Sequence, residues 1–370
     1  MRFGDEDRTD TEGYKMKIED LRRKIDDADA QIVKLIVERM KISGAIGEEK
    51  KKLGKQIVDA DREQKVLENV SGIVRQENIK QEDIENIYKQ IIIASRGVQA
   101  ASVAFQGEVG AYSEEAAFRF FGSAVQVKPC ESLDDVFKVV ERGDVLFGIV
   151  PVENSLEGII SRVYDLLLDS SLRVCGEIEL RVVHCLIASP EARLDTIKKV
   201  YSHPQALGQC ASFLKHFGRE LIPTYDTAGS VKMIKEKEII DGAAIASARA
   251  AEIYGMKIIA SEIEDNPNNF TRFFILSPQD SPPSGNDKTS VVFSVKHKPG
   301  ALYDAIKAFA VKNINLTKIE SRPTRQKPWE YNFYLDFDGH RQDKVSQEAL
   351  KDLEEASLFV KILGSYPKAK

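Results

Sequence analysis

The hydrophobic period changes along this chain, and that change fixes how many folding units it holds. From about Met16 to Ala100, apolar residues recur every three or four positions. Ile18, Leu21, Ile25, Ala28, Ile32 and Leu35 form one stripe, Val66, Leu67, Val70, Ile73 and Val74 a second, and Ile84, Ile87, Tyr88, Ile91 and Ile92 a third. This is the period of amphipathic helices. If the first runs from Lys17 to Lys51, it reaches ~50 Å at ~1.5 Å per residue. Three such helices cannot cover their own stripes, so a second copy of the chain is expected to bury the remainder. From Ala101 the texture becomes short β-like runs, SVAFQ, DVLFGIVPV, KKVYS, GAAIAS and RFFIL, most followed by a helical stretch. Alternation of this kind predicts an α/β domain reaching about Ser277, with room for two lobes and a cleft. PQDSPPSGND reads as a linker. Beyond it the order strand, helix, two strands, helix, strand is the ferredoxin-like β-α-β-β-α-β pattern. The expected division is therefore a disordered leader at 1–13, a helical domain at 14–100, an α/β domain at 101–279, a linker at 280–288 and a small domain at 289–370.

Composition excludes several classes. A chain of 370 residues exceeds one comfortable core. Its net charge of −5 offers no basic footprint for nucleic acid. No apolar run approaches the ~20 residues of a membrane helix. The opening MRFGDEDRTDTEG is too polar for a signal peptide, so a cytoplasmic location is expected. Cys130, Cys175, Cys185 and Cys210 form no C-x-x-C pair and read as reduced core residues. His184, His203, His216, His297 and His340 show no ligand spacing, so no metal is expected. Residues 107–113 lack the G-x-G-x-x-G fingerprint, which argues against a dinucleotide-dependent dehydrogenase. No cofactor of any kind is expected.

Polar residues in the helical segment fall where a plain bundle would not place them. Ser95 and Gln99 continue the third stripe, seven residues after Tyr88 and Ile92. Arg39 and Lys50 are 11 residues apart, about 20° round a helix, so both face one side. Between them lie Ser43, Gly44, Ala45 and Gly47, small enough to leave room for something. Asp59 and Glu63 form an i,i+4 pair. Singly, each charge reads as a solvated surface group. Together, with Ser95 and Gln99 on a buried stripe, they read as a site.

This segment resembles the all-helical chorismate mutases over its whole length. The carrying residues are Arg22 in LRRKID, Arg39 in ERMKISGAIGEEK with Lys50, then Asp59, Arg62 and Glu63 in DADRE, and Ser95 and Gln99 in IIIASRGVQ. The resemblance implies a three-helix fold in an intertwined dimer and a Claisen rearrangement of chorismate to prephenate. That reaction needs no nucleophile and no proton transfer, only positioning and polarisation. By the resemblance, Arg22, Arg39, Arg62 and Ser95 hold the two carboxylates, Lys50 and Gln99 donate to the breaking ether oxygen, and Asp59 and Glu63 hold the ring hydroxyl. Arg22 lies 17 residues before Arg39. That is roughly 25 Å along the axis and ~100° round it, so one small ligand cannot touch both on one helix. If Arg22 is catalytic, it comes from a second subunit.

Unusual sequences in the α/β segment fall at strand-to-helix turns: GEVGAYSEEA, PVENSLEG, SHPQALGQC, DTAGS and NNFTRFF. Such turns are natural anion sites. Each also has an ordinary structural reading. Gly107 and Gly110 can be turn glycines, Ser113 an N-cap, Pro204 a helix start and His203 a structural histidine rather than a general acid. As a set they resemble prephenate dehydratase, which implies a two-lobed α/β fold like that of periplasmic binding proteins. The family's T-R-F motif stands as Thr271–Arg272–Phe273, and the resemblance marks Thr271 as essential to dehydration. Ser113, Asn154, Ser155, Gln205 and Thr227 match other cleft positions that contact prephenate. Arg272 reads equally as a carboxylate ligand or a structural ion-pair partner. Where relatives show S-T-A-x-A this chain has DTAGS, with Asp226 and Ser230 as departures.

The last segment resembles an ACT domain of the type attached to prephenate dehydratases. Its marks are Gly300–Ala301–Leu302 at the first strand-to-helix turn and Glu320–Ser321–Arg322–Pro323 after the second strand. The resemblance implies that these bind phenylalanine as an allosteric inhibitor, between two subunits. The whole reads as a bifunctional enzyme, chorismate mutase followed by prephenate dehydratase, forming phenylpyruvate in phenylalanine biosynthesis as a homodimer or larger homo-oligomer. Two other readings stand beside it: a middle domain that dehydrates arogenate, and a two-lobed amino-acid sensor without catalysis.

Overall fold

A computed structural model of the chain describes residues 7–52, 59–74, 80–99, 102–324 and 330–369. Three helices come first: α1 (Asp7–Lys52), α2 (Ala60–Val74) and α3 (Gln81–Gln99). The long α1 starts earlier than the apolar stripe suggested. Residues 7–13 of the expected leader are helical and 1–6 lie outside the described residues. That stretch has no proline to interrupt a helix. In the single chain the α1 stripe is uncovered, with Ile25 59%, Ile32 53% and Leu35 64% exposed.

The first α/β lobe runs β1 (Val103–Gln106), α4 (Tyr112–Phe121), β2 (Val127–Cys130), α5 (Leu133–Glu141), β3 (Phe147–Asn154), β4 (Gly158–Ile159), α6 (Ser161–Asp169) and β5 (Arg173–Arg181). The second runs β6 (Cys185–Ala188), β7 (Lys199–Ser202), α7 (Pro204–Gln209), α8 (Ala211–Phe217), β8 (Glu220–Pro223), α9 (Thr227–Glu236), β9 (Gly242–Ala246), α10 (Ala248–Tyr254) and β10 (Lys257–Ala260). β11 (Phe270–Ser277) then returns to the first lobe, where the sheet order is β2-β1-β3-β11-β5 with β4 paired to β3. The second sheet has the order β10-β6-β9-β7-β8. The chain thus crosses between lobes twice, before β6 and after β10. β3, FGIVPVEN, is an apolar run, as a strand covered on both faces requires.

The third unit is β12 (Asp287–Ser294), α11 (Ala301–Ala310), β13 (Leu316–Pro323), β14 (Tyr331–Asp338), α12 (Lys344–Ala356) and β15 (Phe359–Pro367). Its antiparallel sheet has the order β13-β14-β12-β15, the ferredoxin-like arrangement.

The units are packed into one another more closely than their linkers suggest. Asp287 and Lys288 of the expected linker belong to β12. The rest is tied down: the buried Ser281 donates to the Cys175 carbonyl (2.6 Å) and its own carbonyl meets His340 Nε2 (3.0 Å), while Asp280 pairs with Arg341. Val292, Tyr334, Leu363 and Tyr366 share a core with Val136, Val174, Phe274 and Leu276 of the first lobe. Burying aliphatic side chains such as Val292 and Leu363 contributes on the order of 1.5–3 kcal/mol each. At the other end α3 meets α4 backbone to backbone: a Cβ at Gly97 would lie 2.7 Å from the Phe121 carbonyl oxygen.

Candidate active sites

α1, α2 and α3 line an open cavity of about 630 Å³. Its lining includes Arg39, Ser43, Lys50, Asp59, Arg62, Glu63, Ser95 and Gln99, which brings together seven of the eight residues expected from sequence. Arg22 is the exception. It points to solvent, paired with Glu19 at 2.8 Å. Arg39 donates to Ser95 Oγ, and that hydroxyl donates to the Ile91 carbonyl (2.7 Å). Lys50 Nζ lies 4.0 Å from Asp59. Asp59 Oδ1 accepts from the Arg62 N–H (3.0 Å), so one of the pair caps α2. Among the described residues Gln99 Oε1 is buried without a hydrogen-bond partner, which leaves that amide free to turn to a ligand. Of the small residues of α1, Ser43 does line the cavity, whereas the two glycines face α3. A Cβ at Gly47 would sit 2.9 Å from Gln99 Cα, so the room is taken by α3 itself.

Arg96 also lines the cavity and was not singled out by the sequence. It forms a two-point pair with Glu63, Nε to Oε1 at 2.8 Å and Nη2 to Oε2 at 2.5 Å. The same guanidinium reaches the Phe120 carbonyl (3.3 Å) and lies 5.1 Å from the Phe120 ring centroid. A side chain of the helical cavity is thereby held from the α/β domain.

The second constellation lies where β3 and β11 end beside the lobe crossings. Thr271 and Asn154 are register partners, both buried. Asn154 Oδ1 accepts from the backbone N–H groups of Leu156 (3.0 Å) and Glu157 (3.1 Å), which can only donate, so its Nδ2 is fixed on the other side. That Nδ2 donates to Thr271 Oγ1 (3.1 Å), Asn269 Oδ1 (2.7 Å) and the Phe270 carbonyl (3.2 Å). Among the described residues no acceptor takes the Thr271 proton, so it is available to a ligand. Sequence reasoning missed the continuation. Asn269 donates to Gln209 Oε1 (2.9 Å), which meets His184 Nε2 (3.0 Å), and His184 Nδ1 meets the Tyr112 hydroxyl (3.0 Å). Burial holds the His184 pKa below its usual value, against the pull of Gln209 and Glu264. These residues are scattered over 112–269, so no local signal joins them.

The remaining expected positions make no hydrogen bond to this pair among the described residues. Ser155 is exposed and pins the approach to β11, its hydroxyl donating to the Asn268 carbonyl (2.9 Å) and accepting from the Phe270 N–H (3.0 Å). Ser113 is buried inside the first turn of α4, whose N-cap is Ala111. Gln205 is exposed at the start of α7, where His203 Nδ1 caps its N–H (3.3 Å), and Thr227 opens α9. Gly107 and Gly110 do occupy positive φ, +117° and +94°, as the turn reading required. Asp226 and Ser230 have structural roles: Asp226 N-caps α9 through Gly229 N–H (2.7 Å), and Ser230 Oγ donates to the Asp226 carbonyl (2.7 Å). Burial raises the Asp226 pKa; the Gly229 N–H lowers it and Glu108 raises it further.

Arg272 points away from Thr271, as alternation along a strand demands. It donates to Glu177 (2.7 Å), Asp336 (2.8 Å) and the Tyr366 hydroxyl (3.0 Å), the last two in the C-terminal unit. Burial lowers the Arg272 pKa, but Tyr366, Asp336 and Glu177 raise it more, so it stays charged. Of its two readings from sequence, ion-pair partner and carboxylate ligand, the structure supports the first.

In the C-terminal unit, Gly300 takes φ +83° ahead of α11, which Ala301 and Leu302 open. Glu320–Ser321–Arg322–Pro323 lie within β13 rather than after it. Asn332 of β14 is in register with both Ser294 of β12 and Arg322 of β13, which puts the two motifs near one end of the sheet. Arg322 is buried and donates to Asp165 of α6 (3.1 Å).

Three domain types in series are defined by these elements, and comparison with known proteins gives the same order: chorismate mutase type II over residues 21–100, prephenate dehydratase over 103–281 and ACT domain over 289–355. A bifunctional chorismate mutase/prephenate dehydratase of Aquifex aeolicus is 38% identical over 359 residues, covering 95% of this chain and 98% of the relative. An arogenate dehydratase/prephenate dehydratase of Arabidopsis thaliana is 45% identical over 276 residues, 72% of each chain. A crystal structure of prephenate dehydratase from Arthrobacter aurescens in complex with L-Phe superposes with a TM-score of 0.67 at 31% identity, covering 72% of this chain and 90% of that one. The chain belongs to the bifunctional chorismate mutase/prephenate dehydratase family. Among the described residues no helix is long and apolar enough to cross a membrane, and no cluster of His, Cys, Asp or Glu could hold a metal.

Proposed function

We propose that the chain rearranges chorismate to prephenate in the helical cavity, converts prephenate to phenylpyruvate between the lobes, and is inhibited by phenylalanine at its ACT domain, in the cytoplasm. The observation that carries this is the convergence of seven expected polar residues from three helices on one cavity. Arg39, Arg62 and Ser95 suit the carboxylates of chorismate, Lys50 and the Gln99 amide the ether oxygen, and Asp59 and Glu63 the ring hydroxyl. Arg22 completes the set from a second subunit, and the uncovered α1 stripe supports that dimer.

For dehydration, Thr271 is the donor. Asn154 donates into Thr271 Oγ1, so the threonine O–H is directed outward to the departing ring hydroxyl. As the C–O bond breaks, the ring carboxylate leaves as CO₂ and its electron pair completes the aromatic ring. Ser113, Asn154, Ser155, Gln205 and Thr227 surround the substrate. Phenylalanine binds at Gly300–Leu302 and Glu320–Pro323, between ACT domains of two subunits; β13 is an edge strand, which leaves that side open to a partner. The test is chorismate consumption and phenylpyruvate formation by the purified chain, with and without phenylalanine. Unconsumed chorismate, or no phenylpyruvate, refutes it. The Arabidopsis relative favours a second reading of the middle domain, dehydration of arogenate. A higher kcat/KM for arogenate than for prephenate would establish it.

A further inference from the structure

Each residue of the Asn154–Thr271 pair has a chain neighbour that reaches the ACT domain. β3 and β11 are antiparallel, with Thr271 opposite Asn154 and Arg272 opposite Glu153. Side chains alternate along a strand, so Glu153 and Arg272 stand on the reverse of the sheet. There Glu153 accepts from Lys318 Nζ of β13 (2.6 Å), and Arg272 is held by Asp336 of β14 and Tyr366 of β15. Ser290 of β12 donates to Asp336 (2.6 Å) and meets the Tyr366 hydroxyl (2.6 Å), and Lys288 of β12 bonds Glu177 (2.9 Å), which also holds Arg272. All four ACT strands therefore contribute to one polar plate behind the catalytic strands.

We propose that Glu153 and Arg272 are positioning residues for dehydration, and that their ion pairs with Lys318 and Asp336 carry the ligand state of the ACT domain to Asn154 and Thr271. This rests on the functional reading above. The plate is largely dry: the side chains of Arg272, Glu177 and Asp336 are 11%, 1% and 6% exposed. Separating such charges leaves each uncompensated in a poor solvent, so the strands follow the ACT sheet rather than part from it. Lys318 and Arg322 lie on the same face of β13 with Glu320 between them, and Arg322 is itself tied to Asp165. A ligand that rearranges Glu320 and Arg322 acts on Lys318 of the same strand, and through it on Glu153, beside Asn154. Phenylalanine then inhibits by favouring an arrangement in which Thr271 is misdirected.

The experiment uses the full chain with Lys318→Gln, Glu153→Gln, the double variant and Arg272→Lys. Lys318→Gln is expected to keep the uninhibited dehydratase kcat within roughly threefold of wild type. It should raise the phenylalanine concentration for half-inhibition at least tenfold, inside the usual range of about 5–150-fold for coupled sites. Glu153→Gln, which preserves side-chain volume and keeps the test alive if Lys318→Gln does not fold, should shift it similarly. The double variant should shift it no further than the larger single. Arg272→Lys should lower kcat at least tenfold with the KM for prephenate unchanged, whereas a raised KM with normal kcat would make Arg272 a substrate ligand and overturn its positioning role. A wild type inhibited by phenylalanine beside Lys318→Gln and Glu153→Gln variants inhibited at the same concentration refutes the coupling alone. A wild type that does not turn over prephenate refutes the functional reading and this inference with it.

Discussion

Replacing Asn154 by Asp reverses the hydrogen bonding around Thr271 at almost no change in volume. The amide nitrogen donates to Asn269 Oδ1, Thr271 Oγ1 and the Phe270 carbonyl, while its oxygen is held by two backbone N–H groups. In the variant a second oxygen takes the place of that nitrogen. Two of the three contacts become oxygen facing oxygen, and the third recovers only if the Thr271 hydroxyl turns its proton inward. Losing the bond to Asn269 Oδ1 leaves that acceptor unpaired, at about 1–3 kcal/mol, while the Phe270 carbonyl keeps the Ser155 N–H (2.8 Å) and loses only one of its bonds, about 0.5–1.5 kcal/mol, so the domain should be destabilised by roughly 1.5–4.5 kcal/mol. Turning the Thr271 proton inward removes it from the leaving hydroxyl, and a positioned proton donor is worth ~10²–10⁴ in rate. The expected result is a fall in dehydratase kcat of at least about 100-fold, or ~2.7 kcal/mol. Phenylpyruvate formation from prephenate measures this, and chorismate consumption by the same sample should stay near wild type. A folded Asn154→Asp chain with kcat within about threefold of wild type would refute the assigned direction of the Asn154–Thr271 hydrogen bond as a catalytic requirement.

Three further outcomes are expected. Arg22→Ala and Arg39→Ala should each inactivate the mutase, yet regain activity when mixed, because a mixed dimer can form one site with both arginines; subunit exchange without recovery would count against a shared site. Arg96→Gln removes a pair whose side chains are only 20% and 22% exposed, and should lower mutase kcat/KM about tenfold or more, with Arg96→Lys restoring part of it; an unchanged mutase would show that Glu63 needs no support. Asp226 has a pKa raised by burial, so its protonated form is favoured in the fold: the penalty is absent below the ordinary value of 3.8 and grows as pH rises through the folded value. Asp226→Asn should therefore be more heat-stable than wild type at neutral pH, with the gap closing in acid, and a gap that widens in acid would contradict the sign.

The helical site was legible because helix geometry is rigid: an 11-residue spacing puts Arg39 and Lys50 on one face before any tertiary contact is known. The same rule could not reveal Arg96, one position from Ser95, because its purpose depends on a phenylalanine of the next domain. Nor could it show that Gly47 makes room for α3 rather than for a ligand. In the α/β domain, alternation separates Thr271 from Arg272, but which side is the cleft depends on where the ACT sheet docks, and that lies in residues 60 or more positions away. β5, RVCGEIELR, carries Glu177 and Glu179 within its span and was missed, although Glu177 is a buried member of the network behind β11. The 280–288 stretch has the composition of a free linker, yet Ser281 bonds to Cys175 of the first lobe, Asp280 pairs with Arg341 of the C-terminal unit, and Ser284 and Asp287 bond to each other.

The central claim is that two separate sites act in sequence on one substrate, and chorismate supplied to the Thr271→Ala chain tests it most directly. Thr271 lies outside the helical cavity, in the strand paired with Asn154. With wild type, chorismate should disappear and phenylpyruvate accumulate. With Thr271→Ala, chorismate should disappear at a similar rate while prephenate builds up and phenylpyruvate does not form. A folded Thr271→Ala chain that makes phenylpyruvate at the wild-type rate, or that also ceases to consume chorismate, contradicts the account.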